Sequence, residues 1–173
     1  MKRLREFVYG LHPHTLCCIA GPLTVAQFVL SFVLRRPGSE VLRWAGWAAW
    51  WAGAICGWLP IFIFRRKGGV ARGDSYVKTT KLVDTGLYAV VRHPQMGTAW
   101  LLMCVALMLM AQHWSSVALG VPAMVLVHLD LLRADQRLVE KFGDAYRRYM
   151  ERVPRVNVVL GVFRLLHHRK VGS

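Results

Sequence analysis

Residues 44–64 read WAGWAAWWAGAICGWLPIFIF, twenty-one positions without a formal charge, and Arg65, Arg66 and Lys67 follow at once. As a helix this stretch rises ~30 Å, enough to cross a hydrocarbon core, and the basic triplet marks its emergence into water. Ala45, Ala49, Gly53 and Gly57 recur every four residues. Such a small-residue stripe predicts close approach by a second helix. Trp44, Trp47, Trp51 and Trp58 fall on a different face, which suits headgroup anchoring at the ends and lipid or helix contact at mid-span.

Working outward, three more apolar blocks appear. Thr15 to Leu34 is uncharged, with Pro22 and Gln27 as its irregularities. Met96 to Ala111 and Trp114 to Leu129 are separated only by Gln112 and His113, which predicts a tight antiparallel hairpin of rather short spans. The 173 residues therefore predict an all-α polytopic membrane protein with about four transmembrane helices, including a short C-terminal helical hairpin. It reads as one membrane-embedded domain over residues 1–173. Residues 1–64 carry two spans, 65–155 carry the long loop, the hairpin and a polar helix, and 156–173 form an amphipathic basic tail. The polar helix is expected to continue out of the fourth span from Asp130 to Pro154, with Leu131, Leu138, Phe142, Ala145 and Tyr149 on its apolar face. No internal repeat or low-complexity segment is visible.

Composition agrees. Hydrophobic residues make up 55% and charged residues 18%, with mean hydropathy +0.34, which excludes a disordered chain and is high for a soluble enzyme. The net charge of +14 would suit a nucleic-acid binder, but the basic residues lie between apolar blocks rather than along one stripe. The expected partners are membrane lipids rather than nucleic acid. With four spans, twenty of the twenty-three Lys and Arg fall on one side, among them Lys2, Arg3 and Arg5, seven in residues 65–93 and ten after Asp130. The positive-inside rule then places both termini in the cytoplasm. No cleavable secretory signal is expected: the block after Arg5 is too long and lacks a small-residue cleavage pattern. Cys17, Cys18, Cys56 and Cys104 all sit in apolar blocks without zinc spacing and read as packed thiols. No metal site is expected at His12 and His14 or at His167 and His168, which read as headgroup contacts.

Two clusters carry candidate chemistry. GLYAVVRHPQMG, residues 86–97, enters the hairpin. Pro94 suits the first turn of a helix, whose free N–H groups and positive dipole end favour a carboxylate or phosphate. Arg92 and His93 add side-chain donors, and Gly97 permits close approach. A membrane-entry turn in which Arg92 reaches headgroups and His93 caps the helix accounts for the same residues. EKFGDAYRRYMERVPR, residues 140–155, reads either as a solvated helix with paired charges or as a surface presenting Tyr146 and Tyr149 to a bound base or cation.

Taken in order around an apolar hairpin, GLYAVVRHP and EKFGDAYRRYMERVPR resemble the integral-membrane methyltransferases of the isoprenylcysteine carboxyl methyltransferase and phospholipid methyltransferase type, over roughly residues 81–155. The resemblance implies S-adenosyl-L-methionine as cofactor and methyl transfer to a lipophilic acceptor, a prenylcysteine-type carboxylate or a phospholipid amine, at the cytoplasmic membrane face. Carried onto this chain, it assigns cofactor binding to Tyr88, Arg92, His93, Pro94 and Gly97 from one side, and to Asp135, Glu140, Tyr146 and Tyr149 from the other. His93, Arg92, Asp135 and Arg133 become the catalytic candidates. The sequence departs from that family at Met96, where Tyr is common, and at Ala134-Asp135, where two adjacent acids are usual. His128 and Asp130, at the foot of the fourth span, are further candidates on the substrate side. Two other readings stay open: an NADPH-dependent membrane sterol or enone reductase, whose C-terminal helical arrangement is somewhat similar, and a non-catalytic lipid-binding membrane protein, which the lost acid and Met96 favour. Either a monomer or a homodimer is compatible with the small-residue stripe.

Overall fold

The computed structural model describes residues 15–67 and 80–171, together with Gly10. Lys2, Arg3, Arg5, His12 and His14, and residues 68–79 of the long loop, lie outside the described residues. Among the described residues the structure is helical, without strands. Six α-helices follow in order: α1 (Thr15–Val33), α2 (Glu40–Lys67), α3 (Trp100–Ala111), α4 (Trp114–Phe142), α5 (Asp144–Arg152) and α6 (Val158–Val171). A 3-10 turn (Gly86–Ala89) and a π-helical turn (Pro94–Ala99) lie between α2 and α3. Four segments are long and apolar enough to cross a membrane: Thr15–Val33, Glu40–Ile63, Pro94–Ala111 and Trp114–Phe142. These are the four blocks read from the sequence: the first ends one residue sooner, at Val33, and the others reach back to Glu40, back to Pro94 and on to Phe142.

The chain packs as two compact units, each assembled from separate stretches: Met1–Gly53 with Trp100–Asp135, and Ala54–Ala99 with Gln136–Ser173. In the first unit α1 is built inside out. Its buried stripe is Leu16, Ala20, Thr24, Gln27 and Ser31, whereas Val25, Val29, Phe32 and Val33 are exposed. In lipid the polar side chains are the ones that need protein partners. Gln27 Nε2 donates to the Cys104 carbonyl at 2.9 Å and to Ser116 Oγ at 3.2 Å, and Ser116 Oγ lies 2.9 Å from Ser31 Oγ. Trp100 Nε1 donates to Thr24 Oγ1 at 2.9 Å. Gly120 leaves the room Gln27 occupies, because a Cβ there would overlap its amide.

The small-residue stripe of α2 is present with a corrected register. Ala45 is exposed; Gly46 takes its place on the buried face, followed by half-buried Ala49 and buried Gly53. A strict four-residue step advances about 40° beyond a full turn at 3.6 residues per turn, so Ala45 rotates out while Gly46 rotates in. A Cβ on Gly46 would lie 2.7 Å from Met110 Cγ and 3.0 Å from the Ala106 carbonyl of α3. Trp44, Trp47, Trp51 and Trp58 are all exposed, on a face apart from that contact.

The hairpin turn is as short as expected. Gln112 adopts φ +49°, an unusual conformation for a non-glycine residue. Its amide accepts from Ser39 N–H at 2.8 Å and donates to the Ser39 carbonyl at 2.7 Å, which ties the α1–α2 connection to the turn. His113 Nδ1 accepts the Ser115 N–H at 3.2 Å, serving one orphan donor of α4.

A second expectation is corrected. The polar helix from Asp130 to Pro154 is not continuous: α4 ends at Phe142, and Gly143 with φ +59° precedes α5. A left-handed residue cannot sit inside a right-handed helix, and the break resets the helical phase. Tyr146, Tyr149 and Val153 therefore form the buried cluster with Leu138 and Phe142, while Ala145 is exposed.

Gly46→Leu forces a side chain against the Ala106 carbonyl and is expected to cost about 1–3 kcal/mol. Ala45→Leu, one position away on the exposed face, is expected to be close to neutral. Thermal midpoints of the two detergent-solubilised variants check the register: equal shifts refute it.

Candidate active site

The second unit brings the two sequence clusters together. Arg92 N–H donates to the Pro154 carbonyl at 3.0 Å and His93 N–H to the Arg155 carbonyl at 3.1 Å. Thr98 Oγ1 continues the seam, donating to the Val156 carbonyl at 3.1 Å. Residues 154–156 thus run alongside the entry to the hairpin. One turn earlier, the Tyr149 hydroxyl donates to the Tyr88 carbonyl at 2.6 Å, with both residues buried. Tyr149 also meets Tyr146 edge-on, with ring centroids 5.6 Å apart. Asp84 and Arg152 form an exposed ion pair at 3.7 Å, which in water adds little.

Pro94 does begin a helical segment, but in π form. His93 O accepts both Gly97 N–H at 3.1 Å and Thr98 N–H at 2.9 Å, the latter an i→i+5 bond. Single π turns widen a helix and are frequent at functional sites. Arg92 is 9% exposed and Pro94, Gly97 and Thr98 are buried, whereas His93 is half-buried. Met96 points outward at 47% exposure. Just before this turn in sequence, Val90 is pressed by Gly161 of α6, where any Cβ would overlap the Val90 carbonyl oxygen.

Of the predicted site residues, Tyr88, Arg92, His93, Pro94, Gly97, Tyr146 and Tyr149 share this unit and its seam. Glu140 belongs to the same unit but is exposed. Arg133 and Asp135 belong to the first unit, on α4, where they are 5% and 3% exposed. There Arg133 Nη1 lies 3.9 Å from Asp130 Oδ1, and Asp130 Oδ2 accepts the Cys17 thiol at 3.3 Å. His128 lines an open apolar groove of about 340 Å³ in that unit with Leu101, Val121, Met124, Val125 and Leu129. Among the described residues no three His, Cys, Asp or Glu side chains are grouped as metal ligands would be.

Thr98 and Gly161 were not legible as site residues. A threonine after Gly97 at the head of an apolar block carries no signal of a bond to residue 156. Gly161 is likewise one glycine among fifteen.

The fold is that of a helical integral membrane protein whose hairpin entry is stitched to a polar C-terminal segment. The family model described as phospholipid methyltransferase matches residues 41–145, more than half of the chain, and the chain belongs to that family. It is thus a membrane transferase of a family that methylates lipids. No curated protein matches the chain. No solved structure matches it either. The matched span contains the hairpin and the Arg92-His93-Pro94 turn and ends one residue before Tyr146.

Tyr149→Phe leaves the buried Tyr88 carbonyl without the hydroxyl that now serves it. The expected loss is about 1–3 kcal/mol, read as a lower thermal midpoint and as faster amide exchange across residues 86–93. Unchanged exchange there would show that the bond does not hold the turn.

Proposed function

We propose that this chain transfers a methyl group from S-adenosyl-L-methionine to a lipophilic acceptor, a phospholipid amine or a prenylcysteine-type carboxylate, at the cytoplasmic face of the membrane. The family match supports methyl transfer to a lipid. The observation that carries the finer reading is the seam in which Arg92 and His93 bond to Pro154 and Arg155, because it makes one rigid turn out of the two motifs.

The donor set suits the cofactor. A guanidinium on Arg92, largely buried, matches a carboxylate, and the half-buried imidazole of His93 can donate to or accept from a polar group. Gly97, buried within the π turn, lets backbone approach closely. When bound, the cofactor supplies an already activated sulfonium methyl, so no metal is required for the transfer. What remains for the protein is alignment of the acceptor with the S–CH3 axis and exclusion of water. Positioning of this kind is worth ~7–11 kcal/mol of barrier.

The roles of the side chains depend on the acceptor. A carboxylate arrives as its own nucleophile and needs only a cationic neighbour, for which Arg92 and Arg133 are the candidates. An amine must first lose a proton, and His93 or Asp135 is then the base. Asp135 also belongs to the proposed cofactor-binding set. In this chain it stands alone after Ala134. Tyr88, Pro94, Glu140, Tyr146 and Tyr149 complete the proposed binding set, with Tyr146 and Tyr149 acting from within the buried cluster that supports the turn.

Calorimetric titration of S-adenosylhomocysteine into the detergent-purified protein, with NADPH as control, tests the reading. Saturable micromolar binding is expected, weakened about tenfold or more by His93→Ala and by Asp135→Ala, as loss of a charge-assisted hydrogen bond requires. NADPH binding in its place would identify a reductase. Absence of both in folded protein would leave a lipid-binding protein.

The proposed orientation has its own check. In a background without native cysteines, His113→Cys at the hairpin turn is expected to react with a membrane-impermeant maleimide in intact cells. Arg155→Cys is expected to react only after permeabilisation. The reverse pattern would invert the topology.

A further inference from the structure

The C-terminal helix α6 carries an apolar stripe with no protein cover among the described residues. Val159, Val162, Phe163 and Leu166 recur at helical spacing and are 81%, 42%, 68% and 55% exposed. The opposite face is committed. Gly161 bears on the Val90 carbonyl, Asn157 Oδ1 accepts the Leu160 N–H at 3.0 Å at the start of the helix, and Arg164 donates to the Glu151 carbonyl at 3.3 Å. The helix therefore presents a defined face rather than a freely rolling one.

The second unit also shows at what level that face lies. Gly86 would carry its Cβ 3.6 Å from Ile63, the last residue of the candidate span Glu40–Ile63. Four residues on, Val90 is the bearing surface for Gly161. The segment leading into α6 is bonded at residues 154–156 to Arg92, His93 and Thr98, around Pro94, where the candidate span Pro94–Ala111 begins. One candidate span ends and another begins beside α6, the level at which spans of this length and composition would meet the water boundary.

Charge decides the occupant. After Glu151 the chain has no acidic residue, while Arg152, Arg155, Arg164, Arg169 and Lys170 are basic. An apolar stripe flanked by cations and held at the boundary matches the headgroup region of an anionic bilayer. We propose that α6 seats on the anionic lipid surface of the membrane, with Val159, Val162, Phe163 and Leu166 inserted among the acyl chains. Gly161 then bears on the turn that holds His93. The inference stands apart from methyl transfer, and its test does not use turnover or cofactor binding.

The test is nitroxide depth measurement on the full chain in nanodiscs, with Leu166→Cys labelled in a background whose native cysteines are replaced by alanine. In phosphatidylglycerol-containing discs the label is expected to be more accessible to oxygen than to a water-soluble nickel chelate. The ratio is expected to fall in phosphatidylcholine discs and at high salt. Adding Val159→Asp and Phe163→Asp, both at exposed positions, is expected to invert the ratio without lowering the thermal midpoint. A label reached by nickel in both lipids overturns the proposal. Shielding from both reagents overturns it as well, since a protein partner or second copy would then cover the stripe. Equal depth in neutral and anionic discs overturns the charge argument.

Discussion

A polar group inside a hydrocarbon layer has no water to turn to, and this constraint governs the first unit. Thr24, Gln27 and Ser31 on α1 find Trp100, the Cys104 carbonyl and Ser116 on the hairpin helices, while valines and phenylalanines of the same helix face outward. A stripe that in a soluble helix would face water is here the packing face. Each such bond is worth only about 0.6 kcal/mol in membranes, so they define which face packs more than they drive association. Close fit does the rest: a Cβ at Gly46 would press on Met110 and the Ala106 carbonyl, and one at Gly120 would displace the ends of the Gln27 and Met108 side chains.

The second unit obeys a different rule. Its determining bonds are backbone to backbone, between Arg92 or His93 and residues 154–155, and they serve peptide groups that leave regular helix on either side. The π turn at His93 and the glycine break at Gly143 both interrupt α-helical pairing. Irregular backbone of this kind is stable at a membrane boundary only where protein groups take up the freed donors and acceptors. Family membership supplies the chemical class, lipid methylation. The seam holds two motifs that a hairpin separates in sequence side by side in the structure.

Much of the architecture was legible because hydrocarbon thickness imposes a length and a composition that few other structures share. The four spans, the two-residue turn at Gln112-His113 and the outward tryptophans of α2 follow from block length and polarity alone. The stripe of α2 was legible in kind but not in register, since a four-residue repeat drifts around a helix of 3.6 residues per turn and only the partner helix selects Gly46 over Ala45. The break at Gly143 was not legible, because one glycine in a polar helix carries the same signal whether its φ is negative or positive.

For the site, sequence by itself determined the chemistry on offer: an arginine, a histidine and a proline at the head of an apolar block, and a tyrosine-rich basic segment after it. Residue type and local spacing suffice for that, because donors, charges and helix starts are local properties. Only the tertiary structure decided that residue 92 meets 154, that Tyr149 is committed to the Tyr88 carbonyl, and that Gly161 lies on Val90. These pairs are sixty or more residues apart, and each meets a backbone carbonyl, a group that is the same in every amino acid. A contact made through a group that every residue carries leaves no mark in the sequence.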